Sequence, residues 1–388
     1  MEMSYAGLIL AAGYSSRMRE LKALLPFGGE TLVARQINCF VSAGISEIHV
    51  VVGYKAEEIA KAIGSLPVNI VYNENYPLGM FASVQAGVRA VNSDIYTPSS
   101  LTTCRGARTM GVFLLPVDYA LAQPFTIEVL KDRFEKGSAK ILYPCYKGRK
   151  GHPPLFTSEL IDEILSSPLD GGLKGVFERH KEEAEYVDMG NETCLIDIDS
   201  KQDYYKALDY HETHIAPDTE ECGYIYRHYN VSEEVRAHCA KVAGIAQTIA
   251  YALMEKGYDV DPELVFSSGL LHDIKKGERD HALKAAQALS SMGYPKAAAL
   301  IANHMDLSPE YAHRICNESI LYFADKVTEQ TDVVDIRRRM SQLANKLGDD
   351  GEGERMRRAS ERLKTAASIQ HMIQDALGED VMRLIKQA

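Results

Sequence analysis

The first 210 residues alternate apolar segments with amphipathic ones, and this alternation restricts the fold more than any other feature of the chain. The apolar segments predict strands at 5–12, 47–53, 68–73, 109–118, 139–146 and 194–199. Most are continuous apolar runs, which is typical of strands buried on both faces of a sheet. Helical patterns lie between them, at 31–44, 55–64, 80–91 and 125–137. Alternating βα units predict a three-layer α/β domain with a doubly wound, mainly parallel sheet.

The strand patterns stop after this region. The polar stretch 211–227 is interpreted as a linker. Beyond it, apolar residues recur at helical spacing, and Ser232 is a predicted N-cap of the first long helix. The sequence therefore predicts an α/β domain over 1–210 and an all-α domain over 228–388.

Composition excludes several classes of protein. The chain has 388 residues and a formal net charge of -11, which argues against a general nucleic-acid binder. It has no apolar run of membrane-spanning length, and its first residues lack the basic region of a signal peptide. Seven cysteines without CxxC spacing predict neither a disulfide framework nor a zinc ribbon. We therefore expect a cytoplasmic protein that has no membrane or nucleic-acid partner.

The stretch LILAAGYSSRM ends the first predicted strand in a tight turn. Gly13 allows backbone N–H groups to approach an anion, while Ala11 and Ala12 leave room for a flat base or a phosphate. Arg17 can fork onto phosphate oxygens, and Lys22 adds a second positive charge. These residues taken alone are also compatible with an ordinary βα turn. The turn matches neither the Walker A pattern nor GxGxxG.

Four ordered motifs carry a family resemblance: the opening turn, GMFASVQAG at 79–87, GHPPLF at 151–156 and DIDSKQDY at 197–204. Together they resemble the MobA-like NTP transferases, the nucleotidyltransferases that activate molybdenum cofactor. The Ala-Ala-Gly form of the turn resembles the cytidylyl branch more than the guanylyl branch. The resemblance implies a Rossmann-like nucleotidyltransferase fold that binds nucleotide through Leu10, Ala11, Ala12, Gly13, Gly79 and Ser83.

The implied reaction moves CMP from CTP to a phosphorylated acceptor and releases pyrophosphate. Molybdopterin is the first candidate acceptor, and a sugar phosphate, alcohol phosphate or phosphonate is the alternative. A molybdoenzyme or its chaperone would be the partner protein. Arg17 and Lys22 would neutralise part of the triphosphate charge, and Mg²⁺ would supply most of the rest.

Asp118, which ends a predicted strand, is the expected first carboxylate for Mg²⁺ and the third catalytic residue; a loop-capping role is its alternative. Asp197 or Asp199 would be the second carboxylate, and the sequence does not choose between them because strand alternation sends both to one face. His152 could orient the acceptor or serve as a structural loop residue.

The sequence departs from the family pattern in two places. The usual Asp-x-Pro after the fourth strand is replaced by VDYALAQP. An additional polar segment at 97–108 stands where the family has a short loop, and we interpret it as a lid or a partner contact.

A second set of candidate residues lies in the predicted helical domain. The helix predicted to run from Asp261 to Gly277 contains the stretch LLHDIKKG. One histidine on an apolar face is usually a core residue, but a buried unpaired carboxylate is expensive, and a shared cation would account for the whole set. Imidazoles and carboxylates suit Mn²⁺, Fe²⁺ or Mg²⁺, and the lack of a thiolate argues against structural zinc. The set comprises His238, His272, Asp273, His281, His304 and Asp325.

The order of these residues resembles the HD superfamily of metal-dependent phosphohydrolases over roughly 228–330. The resemblance implies His238, His272, Asp273 and Asp325 as the minimal ligands. It assigns His281 and His304 to a second metal ion. The implied reaction is metal-assisted attack of water on a phosphoester, and a regulatory nucleotide sensor is the alternative.

Overall fold

The computed structural model describes residues 4–18, 20–96, 109–345 and 353–386. The chain divides into two compact units, residues 1–213 and residues 214–388. The segment 97–108, interpreted above as a lid or partner contact, lies outside the described residues.

The N-terminal unit is built around one sheet, whose described strands follow the order β10-β7-β9-β6-β1-β4-β5, with β8 paired to β7. A separate antiparallel pair is formed by β2 and β3. The strands of the unit are β1 (Ser4–Ala11), β2 (Pro26–Phe27), β3 (Glu30–Thr31), β4 (Glu47–Val52), β5 (Asn69–Tyr72), β6 (Thr109–Pro116), β7 (Ile141–Tyr146), β8 (Arg149–Lys150), β9 (Leu155–Thr157) and β10 (Ala184–Asp188).

The sheet is mixed but mostly parallel. Strand β1 pairs in parallel with both β4 and β6, and β4 pairs in parallel with β5. Among the described strands of this sheet, only the short β8 and β9 run antiparallel to their neighbours. The chain leaves β1 toward β4 and later returns to β6 on the other side of β1, which creates a topological switch point there. The predicted doubly wound, mainly parallel sheet is confirmed.

Helices cover both faces of this sheet because strand side chains alternate between two apolar clusters. Ile9 belongs to the cluster beneath α1, whereas Leu8 belongs to the cluster beneath α3. Gly87 of α3 lies so close to the sheet that an added Cβ would meet Leu8 at 2.2 Å. The helices of the unit are α1 (Leu32–Ser42), α2 (Ala56–Ile63), α3 (Met80–Tyr96), α4 (Pro124–Lys136), α5 (Ile161–Ser166), α6 (Gly172–Arg179) and α7 (Lys201–Thr213).

The prediction of a strand at 194–199 is wrong. Thr193–Leu195 forms a single 3-10 turn, and the chain then runs without regular structure. The amide of Ile198 donates to the carbonyl of Asp118 at 3.0 Å, so it bonds a loop rather than a strand ladder. The edge position of the sheet is instead taken by β10, which the sequence prediction missed and which pairs in parallel with β7.

The C-terminal unit is helical apart from one short hairpin formed by β11 (Thr328–Glu329) and β12 (Asp332–Val333). Helices α9 and α10 pack closely against each other. Gly269 of α10 lies so near Ala243 of α9 that an added Cβ would meet the Ala243 Cα at 2.7 Å. Its helices are α8 (Thr219–His228), α9 (Glu233–Glu255), α10 (Pro262–Leu271), α11 (His281–Ser291), α12 (Pro295–Ala302), α13 (Pro309–Ala312), α14 (Asn317–Lys326), α15 (Ile336–Asn345), α16 (Gly353–Leu377) and α17 (Val381–Ile385).

Residues 211–227, interpreted above as a linker, are largely helical. They contain the end of α7 and most of α8, which begins with a capping box between Asp218 and Glu221. The hydroxyl of Ser267 on α10 donates to the Pro217 carbonyl at 2.7 Å, which fixes the segment to the helical unit. Among the described helices of the chain, none combines the length and apolar character needed to cross a membrane.

Candidate active sites

The first site lies at the carboxyl ends of β1 and β6, at the switch point of the sheet. Ligands of open α/β sheets bind at this position because loops leave neighbouring strands in opposite directions. A cavity of about 340 Å³ opens there. It is lined by Leu10, Ala11, Ala12, Gly13, Tyr14, Ser15, Leu21, Lys22, Ala23, Tyr76, Pro77, Gly79, Met80, Ser83, Pro116, Val117 and Asp118.

The loop after β1 is held open by its own hydrogen bonds. Ser15 adopts a left-handed φ of 52°, and its hydroxyl accepts a hydrogen bond from the Lys22 amide at 3.0 Å. The carbonyl of Ala12 accepts from the Tyr54 amide at 3.1 Å, which ties the loop to the end of β4. A Cβ added to Gly13 would meet no atom within 4 Å, so a ligand can approach the backbone there.

Two predicted cations and two predicted carboxylates meet at the mouth of the cavity. Lys22 Nζ lies 3.4 Å from Asp118 Oδ2 and 3.1 Å from Asp199 Oδ1. Arg17 Nη1 donates to Asp199 Oδ2 at 2.8 Å. Asp199 therefore neutralises both cations, although it follows Arg17 by 182 residues.

Asp118 is the carboxylate best placed to hold a divalent cation. Its Oδ1 atom is buried and has no hydrogen-bond partner among the residues that the structure describes. Burial raises the pKa of Asp118, and Lys22 partly opposes that shift. Asp197 is near enough for its charge to raise the same pKa further. A buried carboxylate oxygen without a partner among the described residues fits Mg²⁺, which prefers one or two carboxylates together with phosphate oxygens.

Gly79 and Ser83 line the other wall of the cavity. Gly79 has a φ of 106°, which favours glycine, and a Cβ there would meet no atom within 4 Å. The hydroxyl of Ser83 is buried and accepts a hydrogen bond from Asn73 Nδ2 at 3.0 Å. The predicted nucleotide-binding residues thus share one cavity.

His152 does not line the cavity but lies next to Tyr119, the residue that follows Asp118. Its ring packs on Tyr119, with centroids 4.1 Å apart, and its Nδ1 atom is buried without a partner among the described residues. Burial, assisted by Lys150, lowers the pKa of His152 to about 4, so the ring is neutral at neutral pH.

Two polar residues on α1, missed by the sequence prediction, hold the loop that carries Asp118: Gln36, which is buried, and Arg35, which is partly buried. Gln36 donates to the Pro116 carbonyl at 2.8 Å and to the Tyr119 carbonyl at 3.4 Å. Arg35 Nε donates to the Ala120 carbonyl at 2.7 Å. Their only signal in the sequence is two adjacent polar residues in an apolar helix.

The second site lies inside the C-terminal unit, where all six predicted ligands converge. The predicted helix ends earlier than expected, at Leu271, so that His272 is its C-cap and Asp273 lies in the following turn. His238 comes from α9 and Asp325 from α14. His281 begins α11, and His304 follows α12.

The ligand atoms face one another at short distances. His238 Nε2 lies 3.3 Å, and His272 Nε2 3.6 Å, from Asp325 Oδ1. His281 Nε2 lies 3.3 Å, and His304 Nε2 3.6 Å, from Asp273 Oδ1. His272, Asp273 and His304 form one group whose ligand atoms lie within 4.8 Å of one another, and His238, His272 and Asp325 form a second.

Backbone carbonyls orient three of the histidines. The Nδ1 atoms of His238, His272 and His304 lie 2.9, 2.8 and 2.7 Å from the carbonyls of Gln330, Gly269 and Ile301. Because a carbonyl only accepts, each Nδ1 carries the proton and each Nε2 presents its lone pair to the centre. This arrangement is the usual one for metal-ligating histidines.

The centre fits a divalent cation by its donor chemistry. The Nε2 atoms of His272 and His304 are buried and have no hydrogen-bond partner within the described parts of the chain. Burial would raise the pKa of Asp273, but the imidazoles of His281 and His304, which face its carboxylate, lower that pKa well below its usual range. Imidazole nitrogens together with carboxylate oxygens suit Mn²⁺, Fe²⁺ or Mg²⁺. Two lysines complete the surroundings, since Lys276 and Lys326 donate to Asp273 and Asp325, each at 2.6 Å.

Comparison with known families agrees with this division of the chain. A family model described as the MobA-like NTP transferase domain matches residues 7–184, which contain most of the first site. A model described as the HD domain matches residues 235–330, which contain all six ligands of the second.

Three curated relatives illustrate the range of similar proteins. The bifunctional IPC transferase and DIPP synthase of Rubrobacter xylanophilus is 37% identical over 33% of this chain, a match covering only 32% of that protein. An uncharacterized protein of Methanocaldococcus jannaschii is 32% identical over 30% of this chain and 79% of its own length. The molybdenum cofactor cytidylyltransferase of Escherichia coli is 24% identical over 52% of this chain and 93% of its own length.

Proposed function

We propose two activities for this chain, which belongs to the MobA-like NTP transferase family over residues 7–184 and to the HD domain family over residues 235–330. The N-terminal unit would transfer CMP from CTP to a phosphorylated acceptor, with molybdopterin as the first candidate. The C-terminal unit would hydrolyse a phosphoester with a divalent cation bound.

In the transfer step, an oxygen of the acceptor phosphate attacks the α-phosphorus of CTP. A new P–O bond forms, the bond between the α-phosphorus and the bridging oxygen breaks, and pyrophosphate leaves with the electron pair. Arg17 and Lys22 would bind the triphosphate and the departing pyrophosphate. A bound Mg²⁺, held by Asp118 with Asp197 or Asp199, would neutralise charge that develops on the phosphate oxygens.

The observation that carries this proposal is the meeting of Lys22, Asp118 and Asp199 beside an open glycine turn. The three side chains come from three distant segments, yet Lys22 Nζ contacts both carboxylates. A purely structural ion pair would not need a partnerless buried oxygen on Asp118, and it would not need a cavity next to it.

Release of pyrophosphate tests the transferase. The protein would be incubated with CTP, GTP or UTP and Mg²⁺, with and without molybdopterin. We expect pyrophosphate with CTP and molybdopterin together. No release with that pair, alongside turnover of a phosphorylated sugar or alcohol, would reject molybdopterin as the acceptor.

A sugar or alcohol phosphate is the second candidate acceptor. The specific observation in its favour is the 37% identity to a protein named as an IPC transferase, which exceeds the 24% identity to the molybdenum cofactor cytidylyltransferase. A sugar phosphate and an alcohol phosphate are therefore included among the acceptors in the same assay.

The proposal for the C-terminal unit depends on its partnerless imidazole nitrogens and on the two carboxylates that face them. Protein loaded with Mn²⁺ would be assayed with bis(p-nitrophenyl) phosphate and with nucleotides. We expect release of p-nitrophenol or of phosphate. Tight nucleotide binding without hydrolysis under every metal would instead identify a regulatory sensor.

A further inference from the structure

Three tyrosines form a continuous aromatic surface at the mouth of the first cavity, and none of them is among the site residues predicted from the sequence. The ring of Tyr14 packs on Tyr54 and Tyr76, with centroids 5.2 and 5.3 Å apart. Tyr14 and Tyr76 both line the cavity. We name Tyr14, Tyr54 and Tyr76 together the tyrosine wall.

The backbone around the wall makes room for it. A Cβ added to Gly53, at the end of β4, would meet the Cβ of Tyr76 at 2.6 Å, so only glycine lets this ring lie there. The Tyr54 amide donates to Ala12, which brings the loops after β1 and β4 together behind the rings. The wall is therefore a fixed part of the cavity mouth.

One member of the wall is available to a ligand. Half of the Tyr14 side chain remains exposed, although it is a large aromatic residue. It follows Gly13, where the backbone is open to the cavity, and Met80 adds another exposed apolar side chain to the cavity lining. Exposed aromatic rings beside a polar phosphate site are the usual surface for stacking a flat ring system.

We propose that the tyrosine wall stacks a flat heterocyclic ring and thereby restricts the ligand of this site to one that carries such a ring. The inference rests on the proposed transferase function and deepens it, because CTP and molybdopterin each supply a heterocycle. A sugar or alcohol phosphate acceptor has no flat heterocyclic ring to stack, so such an acceptor would leave only the nucleobase on the wall.

Equilibrium binding tests the inference without turnover. Dissociation constants would be measured for CTP, for inorganic tripolyphosphate, for neopterin monophosphate and for myo-inositol 1-phosphate, on wild type, Tyr14→Leu and Tyr14→Phe. We expect Tyr14→Leu to weaken at least one heterocyclic ligand by about tenfold, as loss of a stacked aromatic ring does. Tripolyphosphate and inositol phosphate should bind both variants as they bind wild type, and Tyr14→Phe should retain the ring and the affinity.

The two heterocyclic ligands separate the two sources of the ring. A loss confined to CTP assigns the wall to the base, and a loss confined to neopterin monophosphate assigns it to the acceptor. Tyr205→Leu, which removes an exposed tyrosine far along the sequence on α7, is the matched control. Equal weakening of tripolyphosphate and of the heterocycles, or no weakening of any ligand, would overturn the inference.

A second variant covers the case in which the loss of Tyr14 disturbs the loop. Gly53→Ala would push Tyr76 off the end of β4 and should weaken the same heterocycle while leaving tripolyphosphate unchanged. Because these are binding measurements, absence of pyrophosphate release would reject the proposed function but would leave the inference about the tyrosine wall unaffected. Unchanged affinities of these variants, in a protein that still releases pyrophosphate, would reject the role of the tyrosine wall and leave the proposed function in place.

Discussion

The two candidate sites hold their charged groups in opposite ways. At the second site, here called the HD centre, His272 is fully buried and its Nδ1 atom is hydrogen-bonded to a backbone carbonyl. At the transferase site, the Arg17 side chain is 74% exposed, and its partner is a carboxylate from a distant loop. The helical site is therefore set by the backbone before any ligand arrives. The other is held together by mutual attraction of side chains that a substrate can rearrange.

This difference suggests two relationships to metal ions. A buried set of lone pairs with no other partner suits a cation that stays with the protein. A carboxylate with one buried oxygen, next to Lys22, suits a cation that arrives together with the triphosphate, because Mg²⁺ takes several of its ligands from phosphate oxygens. The predictions that follow test this contrast, beginning with the largest expected effect.

His272→Ala should reduce phosphoester hydrolysis to background and remove the bound metal, because His272 Nε2 belongs to both groups of ligand atoms. Pyrophosphate release by the same protein should be unchanged. Metal content would be measured by mass spectrometry beside both activity assays. His371→Ala on α16 is the matched control, and full hydrolysis by His272→Ala would contradict the assigned centre.

Asp118→Asn should lower kcat for pyrophosphate release by about a hundredfold to a thousandfold, since it removes a preorganised charge at the reacting phosphates. Hydrolysis by the HD centre should persist. Asp132→Asn, which alters an exposed carboxylate paired with Lys136, is the control. An Asp118→Asn protein with the wild-type kcat and the wild-type Mg²⁺ dependence would show that Asp118 does not hold the metal.

Acid should destabilise the N-terminal unit through His152. Its pKa is lowered to about 4 in the folded protein, so the unfolded chain binds the proton more readily. The stabilisation is complete above the ordinary histidine value of about 6.5 and is lost as pH falls toward 4, by up to roughly 3 kcal/mol. Thermal unfolding of wild type and His152→Asn over this range should show a steeper pH slope for wild type, in the transition that CTP shifts upward. Equal pH slopes of the unfolding temperature for wild type and His152→Asn would contradict the prediction.

Gln36→Met should lower kcat for pyrophosphate release by about tenfold, because it frees the carbonyls on both sides of the Asp118 loop and small displacements of reacting groups are costly. A more flexible Asp118 should also raise the Mg²⁺ concentration needed for half-maximal rate, which a loss of stability alone would not do. Gln202→Met on the exposed side of α7 is the control. Unchanged Mg²⁺ dependence would leave Gln36 a purely structural role.

The resemblance to the HD superfamily predicted the six candidate ligands of the second site from short motifs, and the structure brings their side chains together. Their spacing placed His272 and Asp273 at a helix end and Asp325 on a buried helix face. Five of the six predicted strands, and the helices on both faces of the sheet, were also predictable from apolar and amphipathic runs. The strand at 194–199 was not, because an alternating apolar and acidic pattern is compatible with a loop whose amides bond to another loop.

Other features depend on contacts that no local pattern records. The Asp199 carboxylate is brought to Arg17 by the return of the chain beside β6, which the sequence left open between two aspartates. The tyrosine wall gathers residues from three separate loops. Helix α8 was missed although its signal was present, since Asp218 and Glu221 have the spacing of a capping box.

The position of Asp199 between Arg17 and Lys22 has a consequence for selectivity. An anion that enters the site must displace the Asp199 carboxylate, which already pairs with both cations. A singly phosphorylated metabolite gains little by displacing it, whereas a triphosphate replaces one carboxylate with several oxygens at once. The proposed transferase would thus select substrates first by the number of negative charges they carry, before contacts to their rings or sugars contribute.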